Sequence, residues 1–311
     1  MLQINGLSDG LELFKTLGSD VRMRIVELLS EQGEMSHAEI STALQLTNGA
    51  VTSHIRRLEE SGIIRITQQH TGRGLKKVCS LAVDQILLNV YPTTEDPNTK
   101  VYETDVPIGQ YSDFGVHPDC GLAGDSALIG LENDPRSFAW PDHMKADMLW
   151  FHDGFIEYRI PNLLPEKHRI MQLTLSFEVS SADQGMKRDT QSDIFFSLNG
   201  QSMGSWLTVR QPDQGRGIYT PYWWTSPERQ HGYLKMLVIN GMGVFLDGVK
   251  IEETGLDWQF LDSFGEMKLR FECHPVSGHE GGIALYGANF GNYKQNIHAR
   301  VHYMPEEPIN G

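Results

Sequence analysis

A set of polar side chains within residues 47–58 has the types and spacing to contact the edges of DNA bases. The members predicted to read bases are Asn48, Thr52, Ser53 and Arg56. Asparagine can form two hydrogen bonds with adenine and arginine two with guanine, and each pairing contributes about 1–3 kcal/mol of discrimination. Val51, Ile55 and Leu58 recur between them at helical spacing. The segment therefore predicts a helix that presents a polar face to the major groove.

Boundary signals indicate where this helix and its neighbours begin and end. Thr47 predicts the N-terminal cap of the helix, and Gly62 predicts its end. Upstream, Ser36 and Glu39 have the S-x-x-E spacing of a capping box that begins another helix. Asp20 predicts the cap of an earlier helix with an apolar stripe. Three helices in close succession are therefore expected before residue 62.

A basic hairpin is predicted to follow these helices. Residues 63–67 and 75–81 have the composition of two strands, and residues 70–74 form a glycine-containing tip between them. Residues 83–90 are predicted to form one further helix. Two helices in tight succession followed by such a hairpin describe a winged helix-turn-helix, whose second helix enters the major groove.

Other polar residues of these elements are candidates for contacts with the DNA backbone, which fix register without reading sequence. They are Ser36, His37, Thr47, His54, Arg57, Arg73, Lys76 and Lys77. A solvated face is the alternative interpretation for any isolated charge. We favour DNA contact for the group because its members fall on the two elements that touch DNA in this architecture.

Residues 44–66, LQLTNGAVTSHIRRLEESGIIRI, resemble the ArsR-type family of winged helix-turn-helix proteins. The family has a small-residue turn, a helix of A-V-S-x-H-L-x-x-L form and a glycine before the wing. Here the corresponding residues run from Ala50 to Leu58, with Gly62 following. The resemblance covers the first 90 or so residues and implies binding to double-stranded DNA and regulation of transcription.

Many ArsR-type proteins sense metals, and the residues that metal sensing requires are missing from this segment. Such sites need thiolates on the helix before the reading helix, or His and carboxylate pairs on the final helix. Residues 36–44 contain no cysteine, and residues 83–90 offer only Asp84. Cys79, Cys120 and Cys273 lie far apart and form no CxxC pair. No metal and no cofactor are therefore predicted.

The charge of the chain divides unevenly between its two parts. The net charge is −14, yet residues 1–92 hold 9 Lys+Arg against 10 Asp+Glu, whereas residues 93–311 hold 17 against 30. The acidity thus belongs to the second part, which phosphate would repel. No apolar run approaches the roughly 20 residues that cross a bilayer, and no leader opens the sequence. A cytoplasmic protein without membrane contact is expected.

The second part of the chain has the pattern of an all-β domain. Residues 91–100 are polar and contain two prolines, which is typical of a linker. Alternating strand-like runs follow at 155–160, 171–179, 194–198, 234–239, 244–246, 267–271 and 283–286. We predict an α+β multidomain chain: a winged helix-turn-helix at 1–91, a linker at 92–104, a β-sandwich of jelly-roll type at 105–304, and a tail at 305–311.

The tryptophans all lie in this β domain and suggest a place for a ligand. The run 217–224 ends in adjacent aromatic residues, and aromatic faces beside polar groups are suited to stacking on sugars. The predicted ligand-binding residues are Trp206, Arg210, Tyr222, Trp223 and Trp224. The alternative is that the tryptophans fill the core. The strand pattern also resembles the jelly-roll domains of carbohydrate-binding modules, without any matching residue.

Two sets of residues that contain histidines have sequence spacings found in metal sites. His117, Asp119 and Cys120 are close together in sequence, but a cluster of this kind on a loop is usually structural. His298 and His302 have the spacing of a helical metal pair, yet the residues around them alternate as in a strand, which places the two about 13 Å apart.

Three hypotheses for the whole chain follow. The first is a homodimeric transcriptional regulator, more specifically a repressor, whose β domain binds a small molecule such as a carbohydrate. In the second, the β domain only dimerises or recruits a protein partner. In the third, it is a glycosidase-like enzyme with acids brought together in space. We favour the first, in which the chain is not an enzyme.

Overall fold

The computed structural model describes residues 2–4, 6–7, 9–71, 74–83, 86–88, 98–183, 190–209, 215–253, 265–276 and 279–306, with the backbone alone described at 3, 68–71, 74–76 and 87. The chain forms two compact units, Met1–Thr94 and Glu95–Gly311. In the described residues, no helix has both the length and the apolar character needed to span a membrane.

The N-terminal unit combines short helices with a hairpin. Its elements are β1 (Leu2–Ile4), α1 (Leu11–Leu17), α2 (Asp20–Gln32), β2 (Met35–Ser36), α3 (His37–Leu44), α4 (Asn48–Glu60), β3 (Ile64–Thr71), β4 (Gly74–Leu81) and β5 (Ile86–Leu88). Strands β3 and β4 form the predicted hairpin, and β2 pairs with β4 to complete a three-stranded sheet. This order of elements is the predicted winged helix-turn-helix.

Local signals in the sequence begin and end the helices as predicted, with one change. Ser36 and Glu39 form the reciprocal capping box at the start of α3, and the Thr47 hydroxyl accepts a hydrogen bond from the backbone of Ala50 at the start of α4. Gly62 follows α4 with a positive φ of 75°, a conformation that glycine adopts without strain. The helix predicted to be capped by Asp20 instead begins at that residue, after Ser19.

The predicted helix over 83–90 is wrong for its described central part. Ile86–Leu88 is a strand that pairs in parallel with β1, so that Leu2 lies opposite Ile86. An apolar run this short is compatible with either structure, and a strand partner from the chain's beginning decides between them. The core of the unit packs Ile25, Ile40 and the α4 stripe around the base of the hairpin.

Strands dominate the second unit. They are β6 (Lys100–Val106), β7 (Asp113–Val116), β8 (Cys120–Ala123), β9 (Leu128–Ile129), β10 (Met148–Phe151), β11 (Gly154–Ile160), β12 (His168–Ser180), β13 (Asp193–Leu198), β14 (Gln201–Leu207), β15 (Tyr233–Asn240), β16 (Gly243–Leu246), β17 (Val249–Glu252), β18 (Met267–Cys273), β19 (Ile283–Tyr286) and β20 (Ile297–Pro305). Two 3-10 helices, Pro135–Ala139 and Pro141–Lys145, interrupt them. Each strand-like run cited from the sequence overlaps a strand.

Two sheets make this unit a β-sandwich. Across the described residues, one sheet has ten strands in the order β17-β16-β15-β12-β19-β10-β8-β9, with β20 bridging β12 and β6. The other has five strands in the order β14-β13-β18-β11-β7. Neighbours are often distant in sequence, as in a jelly roll. The long strand β12 pairs with β15 on one side and with both β19 and β20 on the other.

The sandwich begins earlier than predicted. The predicted linker at 92–104 includes most of Lys100–Val106, which is a strand that pairs with β20 over its whole length. Its alternation is weak because only Val106 is buried within it. Between the sheets, the inward side chains form a core in which the rings of Phe177 and Phe271 meet edge to face at 4.9 Å.

Candidate DNA interface and the aromatic cluster of the sandwich

Helix α4 separates a buried stripe from an exposed polar face. Val51, Ile55 and Leu58 are completely buried against the rest of the N-terminal unit. The four predicted base readers, Asn48, Thr52, Ser53 and Arg56, are all exposed. Positions 48, 52 and 56 follow each other at four-residue spacing, so these side chains lie in one row along the helix. The structure thus brings the predicted reading residues together on one accessible surface.

Glycine 49 also belongs to this face and was not among the predicted residues. A Cβ atom added there would meet nothing within 4 Å, so the first turn of α4 is open to close approach by another molecule. The sequence signal that could have identified it is the small-residue run Gly49–Ala50 directly after the cap.

Arg56 has a partner on its own helix. Its Nε lies 2.8 Å from Glu60 Oε1, and both side chains are largely exposed. An exposed pair four residues apart on a helix contributes only about 0.3–0.5 kcal/mol. The guanidinium is therefore held near the surface of α4 by a contact that a stronger partner can replace.

The predicted backbone contacts divide into several environments. His37 lies beside the reading face, with Nδ1 3.5 Å from the Thr52 hydroxyl, and Arg57 and Thr47 are exposed. Ser36 is different, because it is buried and its hydroxyl donates to Glu39 Oε2 at 2.6 Å. Its hydroxyl stabilises the start of α3 and is not presented to a phosphate, so the predicted phosphate contact of Ser36 is replaced by a capping role.

His54 is a half-buried residue of α4. Burial lowers the pKa of His54, and the positive charges of Arg22 and Arg57 lower it further. Arg22 is itself buried and donates hydrogen bonds to the backbone oxygens of Lys15 and Thr16 at the end of α1. The His54 imidazole is consequently neutral near pH 7 and would meet a phosphate as a hydrogen-bond donor without a charge.

The wing is described in part. Lys77 is exposed on β4, opposite Gln68 in the hairpin register. Arg73 and the side chain of Lys76 lie outside the described residues, and their predicted contacts with DNA stay predictions.

The aromatic residues predicted to bind a ligand occupy two separate places in the sandwich. Trp224 is 7% exposed and packs on Trp150 and Phe290 on the outer face of the ten-stranded sheet. Trp206 pairs opposite the inward-facing Ile194 and contacts Tyr233 edge to face, so it lies between the sheets at their margin. These two side chains therefore cannot face one pocket.

Trp150, Trp223 and Trp224 form a tryptophan cluster, and hydrogen bonds fix two of its indole rings. The indole of Trp224 donates to the Glu228 carbonyl at 2.8 Å, and that of Trp223 donates to the Asp125 carbonyl at 2.9 Å. Trp223 packs edge to face on Trp224 and is half-buried. Trp224 thus fills a core, which was the alternative interpretation. Tyr222 is 90% exposed beneath Arg216, and Arg210 lies outside the described residues.

The loops that cover this cluster are held by a buried carboxylate. Glu178 is completely buried and accepts hydrogen bonds from the backbone N–H groups of Gly232, Asn292 and Tyr293 at 2.7–3.0 Å. In the same cluster, the buried guanidinium of Arg229 stacks on Trp150 at 4.8 Å. A carboxylate in this setting anchors two loops to strand β12 and is a structural element.

The candidate metal clusters do not converge. Cys120 points into the core, and burial raises its pKa to about 11. His117 pairs with Asp153 at 3.1 Å, while the Asp119 carbonyl lies 3.0 Å from the ring of His152. His298 lies on β20 and contacts Asp105 at 3.0 Å. Among the residues that the structure describes, no group of three or more His, Cys, Asp and Glu side chains could hold a metal ion.

One family model matches within the N-terminal unit. Residues 19–65 match the family of winged helix-turn-helix DNA-binding domains. The chain is 39% identical over 54 residues to the arsenical resistance operon repressor of Escherichia coli (strain K12). That match covers 17% of this chain and 46% of the repressor, so the chain spans less than half the length of this curated relative.

Two solved structures resemble different shares of the chain. A transcriptional regulator homologue from Pyrococcus horikoshii OT3 is 29% identical, with 24% of this chain and 76% of that chain covered and a TM-score of 0.21. The CBM51-2 and INT domains of ZmpB from Clostridium perfringens are 8% identical, with 77% and 41% covered and a TM-score of 0.28. Because both TM-scores are low, the description of the fold depends on the elements and pairings given above.

The fold and the exposed face of α4 define the class of the N-terminal unit as a winged helix-turn-helix DNA-binding domain. Within that class, the chain is similar in sequence to ArsR-type repressors over about 50 residues.

Proposed function

We propose that this protein is a transcriptional regulator that places α4 in the major groove of double-stranded DNA. The observation that carries the proposal is the exposed row of Asn48, Thr52 and Arg56 on a helix whose opposite side is completely buried. Ser53 extends the reading surface, while His37, Thr47, His54, Arg57 and the basic residues of the wing, Arg73, Lys76 and Lys77, contact phosphates.

A charge placed on this face tests the proposal. Ser53→Glu puts a carboxylate among the reading residues, where DNA phosphates would repel it, and we expect at least about a tenfold loss of affinity. Ser30→Glu is the matched control, because Ser30 is an exposed serine on α2. The assay is fluorescence anisotropy of the full chain with sequences selected from genomic fragments. Full binding by Ser53→Glu would contradict the assignment of α4.

The regulator would act as a repressor that responds to a small molecule bound by the sandwich, with a carbohydrate as the first candidate. The curated relative cited above is a repressor of an arsenical resistance operon. Its chemistry does not transfer readily, because Cys79, the cysteine of the N-terminal unit, is buried and burial raises its pKa to about 11. A thiol of this kind is a poor metal ligand.

Operator affinity measured with and without candidate sugars tests the response. If effector and DNA favour different arrangements of the protein, a bound sugar changes operator affinity. Equal affinities across all candidates would contradict sensing and favour a sandwich that only dimerises or recruits a partner.

We further propose that the protein is a homodimer joined through its N-terminal unit. Leu11 and Phe14 lie three residues apart on α1 and Leu7 precedes this helix, and all three side chains are at least 40% exposed. An apolar face of this kind on a small unit is typical of a protein contact. Phe14→Glu should yield monomers in sedimentation equilibrium, whereas Val249→Glu, at an exposed position of the sandwich, should not. A Phe14→Glu dimer would contradict this interface.

A further inference from the structure

The outer face of the five-stranded sheet carries side chains that a solvent-facing sheet does not need. In β11, β13 and β18, buried and outward residues alternate strictly, so the two sides of the sheet are well defined. Phe155 and Phe195 stand on the outward side, and Phe195 is 40% exposed. Outward positions of an antiparallel sheet are usually polar. Two aromatic rings there call for an explanation.

The register of the strands arranges these side chains in two rows. In the first row Glu272 lies between Phe155 and Phe195, since it pairs with one on β11 and with the other on β13. The two aromatic residues are thus separated by two strand spacings, about 10 Å. In the second row Arg270 lies between Glu157 and Ser197.

These rows border an open hollow of about 380 Å³ on the surface of the sheet. We call it the outer groove; its lining includes Glu157, Phe195, Ser197, Ser202, Arg270 and Glu272. Small-molecule sites in proteins usually measure about 300–1,000 Å³. The edge strand β14 contributes Ser202 to the lining, and a β-bulge follows at Gly204, whose φ is 89°. Bulges at sheet edges often redirect side chains beside binding sites.

The polar groups of the outer groove alternate between donors and acceptors. Arg270 donates through Nε and one terminal nitrogen to Glu157 Oε2 at 3.1 and 2.9 Å, and it stacks over the ring of Phe155 at 3.9 Å. Glu272 lies 2.6 Å from His274 Nε2. Serine hydroxyls complete the wall. Adjacent donors and acceptors of this kind match the hydroxyl groups of a sugar ring.

Charge in the groove selects against anions. Each of its two carboxylates already has a side-chain partner, Glu157 the guanidinium of Arg270 and Glu272 the imidazole of His274. Hydrogen bonds with Asp153 and Glu272 raise the pKa of His274, which favours its charged form. The groove therefore holds no surplus positive charge for a phosphate or a uronate.

We propose that the outer groove is the effector site of the sandwich and that it binds a neutral saccharide. The ring of Phe195 stacks on the C–H face of the sugar, and Arg270, Glu157 and Glu272 bind its hydroxyl groups. This inference rests on the proposed role of the sandwich as an effector-binding unit, and it moves the ligand from the tryptophan cluster to the opposite sheet.

The arrangement favours binding over hydrolysis. Glycoside hydrolysis needs one carboxyl group that donates a proton to the leaving oxygen. In the outer groove each carboxylate is instead engaged by a protein side chain, Glu157 by Arg270 and Glu272 by His274. A bound disaccharide should consequently remain intact.

The experiment uses the full chain and a fixed panel: glucose, galactose, mannose, xylose, maltose, cellobiose and lactose, with glucuronate and glucose 6-phosphate as charged members. Binding is measured by saturation-transfer NMR and calorimetry. We expect at least one neutral sugar to bind, and Phe195→Ala and Glu272→Gln each to weaken it about tenfold. The control Tyr222→Ala removes a more exposed aromatic ring elsewhere, and Trp223→Ala alters the tryptophan cluster; both should bind within about twofold of the parent.

Several results would overturn the assignment. They are preference for a charged sugar, loss of binding in Trp223→Ala but not in Phe195→Ala, cleavage of a bound disaccharide, and absence of binding across the panel. Thermal melts of each variant establish that it is folded. If the groove binds a sugar as expected but operator affinity does not change, sensing fails while the groove stands. DNA binding is tested separately by Ser53→Glu.

Discussion

Removal of the Arg56 side chain separates base reading from simple charge attraction. In the free protein this guanidinium lies 2.8 Å from Glu60, an exposed contact that contributes about 0.3–0.5 kcal/mol. A bidentate contact with guanine contributes about 1–3 kcal/mol. The difference favours transfer of Arg56 from Glu60 to the base by at least about 0.5 kcal/mol.

Arg56→Ala should therefore lower affinity for the preferred sequence by about 5- to 150-fold and reduce its preference over other sequences. Glu60→Gln should raise affinity about twofold, because it removes the competing partner and a negative charge near phosphate. Lys77→Ala is the matched control for a backbone contact: it should weaken binding to all sequences alike and reduce the salt slope by about one.

The assay is fluorescence anisotropy over a series of salt concentrations, with the selected sequence and a scrambled duplex measured in parallel. If Arg56→Ala weakens both duplexes equally and reduces the salt slope, Arg56 contacts phosphate and the reasoning about base reading is wrong. If neither duplex is affected, α4 does not present this face to DNA.

Three further outcomes are expected. Gly49→Ala should raise the free energy of unfolding by about 0.5–1 kcal/mol, because the added Cβ enters open space on the helix. The same Cβ should weaken DNA binding where α4 approaches the duplex. A variant that is less stable than the parent in chemical denaturation would contradict this expectation. Trp224→Ala should destabilise the sandwich by about 3–5 kcal/mol in calorimetry, and an unchanged melting temperature would contradict its packing role. Burial acts to lower the pKa of His152, but hydrogen bonds with Asp183 and the Asp119 carbonyl raise it on balance, and the pKa of His274 is raised as well. The stability that the two histidines contribute is therefore present below the unfolded pKa of about 6.5 and is lost as pH rises through their pKa values in the folded state. The sandwich should consequently have a lower melting temperature at pH 8 than at pH 6. A His152→Gln/His274→Gln variant should show a smaller difference between the two pH values.

The exposed polar face of α4 could be predicted from sequence because its signals are local. A cap at Thr47, an apolar stripe with helical spacing and a glycine after the last turn together determine which side of α4 is exposed. Every residue needed for the prediction lies within 16 positions of the others. The environment of Ser36 was harder to predict, because a capping serine and a phosphate-binding serine look alike until burial is known.

The errors arose where a partner distant in sequence decides the structure. Ile86–Leu88 forms a strand because Leu2–Ile4 lies beside it, more than 80 residues away. The strand Lys100–Val106 forms because it pairs with β20, which lies almost 200 residues later in the sequence. Weak alternation in both segments gave no local indication of these pairings.

The same limitation explains why the sequence indicated a ligand site at the tryptophans and did not indicate the outer groove. Alternation within a strand determines which face a side chain occupies, but the neighbour across the sheet depends on topology. Phe155 and Phe195 are 40 residues apart, and each is adjacent to Glu272 only because β18 lies between β11 and β13. A signal was present nonetheless: both phenylalanines share the outward phase of their strands with polar residues. Because an exposed ring at such a position gains nothing from the core, aromatic residues out of phase with burial are the sequence signal for the ligand face proposed here, whereas Trp224 serves the packing.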